Sequence, residues 1–168
     1  MNGESIARLA DFRSSVPEKV LWRSKNIQPT EGRFSAGIFA AAGYRCLAFD
    51  MPGCGKTGGL TVPDAEKAEV IPLIMRAFEL DSVILVGHSM AGKYIVPMLG
   101  TSGIAGIVAI ALSNTNELPS AVESIQTSLL VIWGERDTSL GPNAASNLSR
   151  LPKSRLVFDR FCRVSLEQ

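Results

Sequence analysis

One stretch constrains this chain more than any other. The apolar run Val83-Ile84-Leu85-Val86 leads straight into Gly87-His88-Ser89-Met90-Ala91-Gly92, and a helical pattern follows. A strand that feeds a helix directly is half of a βα unit, and such units build parallel sheets. A sharp turn at this junction lifts Ser89 to its apex with the hydroxyl exposed, the geometry of a nucleophile elbow. Small residues at 87, 91 and 92 are what a strained turn packed against its neighbours requires. A serine in such a turn can also do no more than cap the helix. The only histidine in the chain is His88, the neighbour of Ser89. Adjacent side chains diverge, so His88 cannot serve Ser89 as a base.

The rest of the chain repeats the alternation. Val20–Arg23, Tyr44–Asp50, Ser82–Val86, Ile104–Ala111, Ser128–Trp133 and Arg155–Phe158 read as strands, mostly continuous apolar runs. Phe34–Ala42 with Gly43 as its stop, Ala65–Leu80, about Met90–Leu99 and Asn143–Arg150 read as helices. Met51–Pro63 is rich in glycine and must be loop, and Asn114–Pro119 is a polar loop. The expectation is an α/β fold, a single domain over residues 1–168, with chemistry at the carboxyl ends of the strands. Asp50, Ser89 and Asp137 all fall at or just past such ends.

Composition narrows the function classes. With 46% apolar residues in 168, the chain can bury a real core. A net charge of +1 favours neither nucleic acid nor an anionic membrane surface. The apolar stretch Ile104–Leu112 is too short to span a bilayer, and Met1–Ser5 does not open a secretory signal. Cys46, Cys54 and Cys162 are odd in number and lack metal-ligand spacing. They fit a reducing compartment, cytoplasmic or also nuclear, with no metal or other cofactor.

Two further motifs bear on chemistry. Gly55-Lys56-Thr57 resembles the end of a phosphate-binding loop, which raises a nucleotide hydrolase as a remote alternative. That motif needs glycine where Asp50 stands, and a carboxylate there repels phosphate. It must also open into a helix, and Gly58-Gly59-Leu60-Thr61-Val62-Pro63 will not start one. Trp133-Gly134-Glu135-Arg136-Asp137 follows the strand Leu129–Ile132. A carboxylate in that place can orient a catalytic histidine, or it can be a solvated turn acid. The order Ser89 then Asp137 is the order of the elbow-type triads.

Taken together, the elbow, the Asp50-Met51-Pro52-Gly53 turn and Asp137 resemble an α/β-hydrolase. Ala42-Gly43-Tyr44-Arg45, Tyr94-Ile95-Val96-Pro97 and Leu151-Pro152 narrow this to the α/β-hydrolase domain-containing protein 14 family. The resemblance runs from about Val20 to Arg155. It implies a three-layer, mostly parallel sheet and a cytosolic or nuclear serine hydrolase acting on small acyl or ester substrates. By motif match Ser89 is the nucleophile, Asp137 the acid, and the Met90 amide half of the oxyanion hole. Asp50–Thr57 matches a turn that is structural in the superfamily.

Two departures from the family pattern set the activity expected. The family carries an apolar strand and an oxyanion loop that would fall near Ser35, between the matches at Glu31–Ser35 and Ala36–Ala40. An excised strand is therefore expected there, the sheet is incomplete, and Cys46–Phe49 should pair directly with Ile84–Val86. The family's base histidine falls near Cys162 in one alignment. With Ser89 and Asp137 present and the base and one oxyanion element missing, the chain is expected to be a very poor esterase or inactive. Lys93 is one conceivable substitute base. The alternative from another class is a non-catalytic binding or interaction domain.

Overall fold

A computed structural model of the chain describes residues 21–22, 39–48, 50–54, 57, 59–137, 140 and 143–159. Five strands make one all-parallel sheet in sequence order: β1 (Leu21–Trp22), β2 (Val83–His88), β3 (Ile104–Ile110), β4 (Ser128–Gly134) and β5 (Ser154–Asp159). The register sets His88 beside Ile110, Ile110 beside Ile132, and Ile132 beside Val157. All the strands therefore end at one edge. Among the described residues the connections include a helical turn over residues 39–41 and the helices α1 (Lys67–Ala77), α2 (Gly92–Ile95) and α3 (Ala144–Leu148). A monotonic strand order with crossovers of one hand brings successive helices to the same side, and α1 does pack on α2.

The core lies under those helices. Val83 and Leu85, then Ile107 and Ala109, then Leu129, Val131 and Trp133 are buried on alternate positions of the three central strands. Their neighbours Ile84, Val86, Val108, Ile110, Leu130 and Ile132 are half-buried. Such apolar residues at every position mark strands covered on both faces of a parallel sheet.

The expected strand over Tyr44–Asp50 does not form. Residues 44–48 and 50 carry no regular secondary structure, and Phe49 lies outside the described residues. The edge of β2 expected to pair with Cys46–Phe49 pairs instead with β1, Leu21 beside Ile84 and Trp22 beside Leu85. A strand exists only where its N–H and C=O groups meet a neighbour's ladder, and here that edge is taken. Since a strand lies against β2, the sheet lends no support to a strand excised near Ser35. The run is still drawn inward, with Leu47 buried in the core.

Helix ends follow local chemistry. Residues 39–41 are helical and stop at Gly43, whose φ is +84°. The Tyr44 N–H bonds the Phe39 carbonyl and the Gly43 N–H that of Ala40, the paired bonds of a Schellman cap. The helix expected over Ala65–Leu80 opens as a 3-10 turn, Asp64–Glu66, and ends at Ala77. The helix expected over Met90–Leu99 breaks into a 3-10 turn (Ser89–Ala91), the single α-turn α2, and a second 3-10 turn (Val96–Met98). Pro97 has no N–H to continue the α pattern. The strand Val20–Arg23 is described only at its centre. The loop Asn26–Gly32, the helix start at 34–38 and Cys162 lie outside the described residues.

Candidate functional site

The edge where β2, β3 and β4 end holds the strained backbone. His88 closes β2 in extended conformation, and Ser89 turns to φ +48°. Ala111 and Asn114, just past β3, have φ of +43° and +59°. Three of the four non-glycine residues with positive φ among the described residues thus sit at this one edge. Such strain persists only where surrounding structure over-determines it, and it clusters at functional sites. The fixings are visible here. The Ser89 carbonyl accepts from Gly92 N–H and, at 2.9 Å, from Ser113 N–H.

The small residues of the elbow have measurable reasons. A Cβ on Gly92 would stand 1.9 Å from the Ser113 carbonyl oxygen, a backbone atom that cannot move aside. A Cβ on Gly87 would stand 2.1 Å from Ile95 Cδ1, the tip of a side chain. Ala91 is fully buried. Ser89 itself is half-buried at the strand-to-helix turn, where the sequence puts it. Met90 follows in the 3-10 turn with its side chain 57% exposed. First-turn N–H groups have no partner inside a helix, so the Met90 amide is free to meet an oxyanion as far as the turn is concerned.

Asp137 lies half-buried in the turn after β4, its N–H on the Gly134 carbonyl at 3.0 Å. It shares the edge with Ser89, and β3 separates their strands, about 10 Å across two strand spacings. His88 points from β2 on the face opposite to Leu85 and Gly87. Among the described residues no hydrogen bond joins its ring to Ser89. Lys93 is not placed to be a substitute base. Its ammonium donates to Asp64 Oδ2.

A pocket of about 300 Å³ opens beside the elbow. Met90, Lys93 and Tyr94 form one wall, Ser113 and Asn114 another, and Met51, Pro52 and Lys67 close it. Asp64 takes Lys67 Nζ on one carboxylate oxygen at 2.5 Å and Lys93 on the other. The hydrogen bond from Lys67, then that from Lys93, holds the Asp64 carboxyl down at about 2. The Lys67 ammonium also stands 5.5 Å over the Tyr94 ring. Burial raises the Tyr94 hydroxyl above the ordinary tyrosine range, helped by the charges of Cys54 and Asp64. Among the described residues no group of three or more histidine, cysteine or acidic side chains could hold a metal.

The glycine loop is a closed structural turn. Thr57 Oγ1 donates to the Asp50 carbonyl at 2.7 Å, and Cys54 N–H to that of Met51 at 2.8 Å. Gly53 has φ +75°, and a Cβ there would stand 2.5 Å from the Thr61 amide nitrogen. Among the described residues from Met51 to Pro63 no helix begins, so the loop does not present a helix end as a phosphate site must. Gly55 and Lys56 lie outside the described residues.

Sequence reasoning missed the pocket walls. Lys67, Tyr94 and the adjacent pair Ser113-Asn114 come from separate elements, and no spacing links the three. Asn114 alone carried a signal, because asparagine tolerates positive φ better than most residues. Ala111 carried none.

Comparison with known proteins agrees with this geometry. A family model described as alpha/beta hydrolase fold matches residues 35–129. Protein ABHD14A of Danio rerio is 32% identical over 130 residues, which are 71% of this chain and 46% of that protein. The human protein named putative protein-lysine deacylase ABHD14B is 30% identical over 125 residues, 70% of this chain and 59% of that one. The chain thus spans about half the length of the curated relatives it matches. Among solved structures, a protein described as a predicted CIB-like hydrolase from Thermoplasma acidophilum superposes with a TM-score of 0.71 at 21% identity. That match covers 87% of this chain and 76% of the other, and at this identity it speaks for the fold alone.

Proposed function

The chain belongs to the alpha/beta hydrolase fold family and is similar to its ABHD14 proteins, and from that premise we propose a serine hydrolase scaffold of esterase or acyl-hydrolase type. Ser89 is the nucleophile, Asp137 the acid, and the Met90 amide one oxyanion donor. The observation that carries this is Ser89 at φ +48°, pinned by Ser113 at the ends of parallel strands. The name of the human relative supports a small acyl group as the part recognised. The odd count of three cysteines, without metal-ligand spacing, supports a cytoplasmic or nuclear setting. Among the described residues no helix is long and apolar enough to cross a membrane.

These 168 residues contain no histidine placed to deprotonate Ser89. Losing one triad member costs on the order of 10⁴–10⁶ in kcat, and what remains relies on oxyanion donors and binding. The expected result with a nitrophenyl ester is therefore a slow turnover, lower still in Ser89→Ala. A fluorophosphonate probe should label Ser89 slowly or not at all. Turnover at ordinary hydrolase rates that Ser89→Ala abolishes would show that a base is in place. Ligand binding with no Ser89-dependent turnover would select the other reading, a binding domain on a hydrolase scaffold.

A further inference from the structure

The pocket beside the elbow has an unbalanced charge. Among the described residues that line it, Lys67 and Lys93 carry the charged side chains, and no aspartate or glutamate stands with them. They share a single carboxylate, Asp64, one ammonium on each oxygen. Glu117 stands outside the lining and accepts from Asn114 Nδ2. One negative charge cannot compensate two positive ones in a partly desolvated place. The side chain of Lys67 is only 18% exposed, so water does little of the remaining work, while Asp64 is 62% exposed and lies toward solvent. Tyr94 underlies the Lys67 ammonium and keeps it aimed.

The rest of the lining has a different character. Met51, Pro52 and Met90 are apolar, and Met90 and Ser113 are the pocket residues that touch the Ser89 turn. Lys93 follows Ser89 by four positions, across the 3-10 turn and into α2, roughly one helical turn or about 6 Å. Cationic residues, apolar residues and two neighbours of the Ser89 turn therefore share one small pocket, which Cys54 and Thr61 also line. A volume of about 300 Å³ lies at the small end of ligand sites.

We propose that this pocket takes a short acyl group that ends in a free carboxylate, with the carboxylate on Lys67 and Lys93, the methylenes on Met51, Pro52 and Met90, and the acyl carbon at the elbow. The ligand class is the half-ester or half-amide of a short dicarboxylic acid. Its recognition stands on the pocket. Its hydrolysis, ester plus water giving the diacid and the alcohol, rests on the serine hydrolase reading above.

The test is binding to the full chain, followed by amide NMR shifts and calorimetry. Glutarate is compared with glutaramide, its neutral isostere, and with inorganic phosphate. Glutarate should bind about tenfold tighter than glutaramide, the worth of one charge-assisted hydrogen bond. Its shifts should centre on Met90, Lys93, Tyr94 and Ser113. Lys67→Met and Lys93→Met should each erase the preference, and Lys93→Arg should keep it. The comparison of the three ligands on the unmutated chain stands even where a variant misfolds. Equal binding of glutaramide, or of phosphate, overturns the proposal, as does no binding of glutarate. Glutarate binding without turnover of its nitrophenyl half-ester keeps this inference and removes the hydrolase reading. Turnover of a neutral ester without glutarate binding does the reverse.

Discussion

Two apolar runs of similar length met different fates. Val83–His88 became a central strand with β1 on one side and β3 on the other. Tyr44–Asp50 looks no less strand-like in sequence, yet its described residues, 44–48 and 50, carry no regular structure and are anchored by Leu47. The difference is in partners. β2 runs between two ladders, and its last residue hands the chain to a turn that Ser113 fixes from the neighbouring strand end. The Tyr44 run leaves a well-capped helix and finds its place beside β2 already occupied. Apolar alternation therefore marks what will be buried, while pairing decides what becomes a strand.

Amide hydrogen exchange breaks or sharpens this contrast most strongly. Amides of β2 and β3 should open only with the whole molecule, about 5 kcal/mol or more, whereas those of Arg45, Leu47 and Ala48 should exchange faster, by local opening. Equal protection in the two segments would mean that the Tyr44 run has a ladder after all.

The two regions also use glycine differently, and mutation should expose it. Gly92→Val puts a side chain into the Ser113 carbonyl, and a cost of about 3 kcal/mol or more is expected from overpacking against backbone. Gly43→Ala meets nothing within 4 Å and costs only the left-handed backbone, about 1 kcal/mol. Urea midpoints of the two variants would rank them. The reverse ranking would move the tightly fixed region away from the elbow.

The smallest effect concerns the Asp64 bridge that ties the start of α1 to α2. A carboxyl lowered to about 2 when folded, against about 3.9 unfolded, contributes fully above the unfolded value. That contribution fades as pH falls below about 4 and is gone once pH passes the folded value near 2. Carboxyl carbon NMR should show Asp64 titrating near 2, and Lys67→Met should move it up, since Lys67 is the larger cause. An unchanged titration in that variant would dissolve the bridge.

Much of the fold was legible because the signals were local. The strands at 83–88, 104–110, 128–134 and 154–159 were visible as apolar runs, and Gly43 as a helix stop. Ser89 was placed at its turn because only small residues tolerate such a bend. Asp137 was placed after β4 by the length of the run before it. Less legible was anything that depends on two distant segments. The neighbour of β2 came from Leu21–Trp22, some sixty residues away, and no residue pattern announces a partner of that kind. The segment after Ser89 is less regular than its apolar spacing predicts, because Pro97 has no N–H to continue an α-helix.

The sequence by itself determined a parallel α/β sheet and a serine at a strand-to-helix turn beside the chain's one histidine. These follow from steric limits and side-chain periodicity within a few residues. Only the tertiary structure decided that Lys93 is held by Asp64, that Lys67 joins it over Tyr94, and that both face a pocket at the elbow. Charge balance in a pocket depends on which groups share a small volume with little water. That is a property of three-dimensional neighbours, to which spacing along the chain is blind.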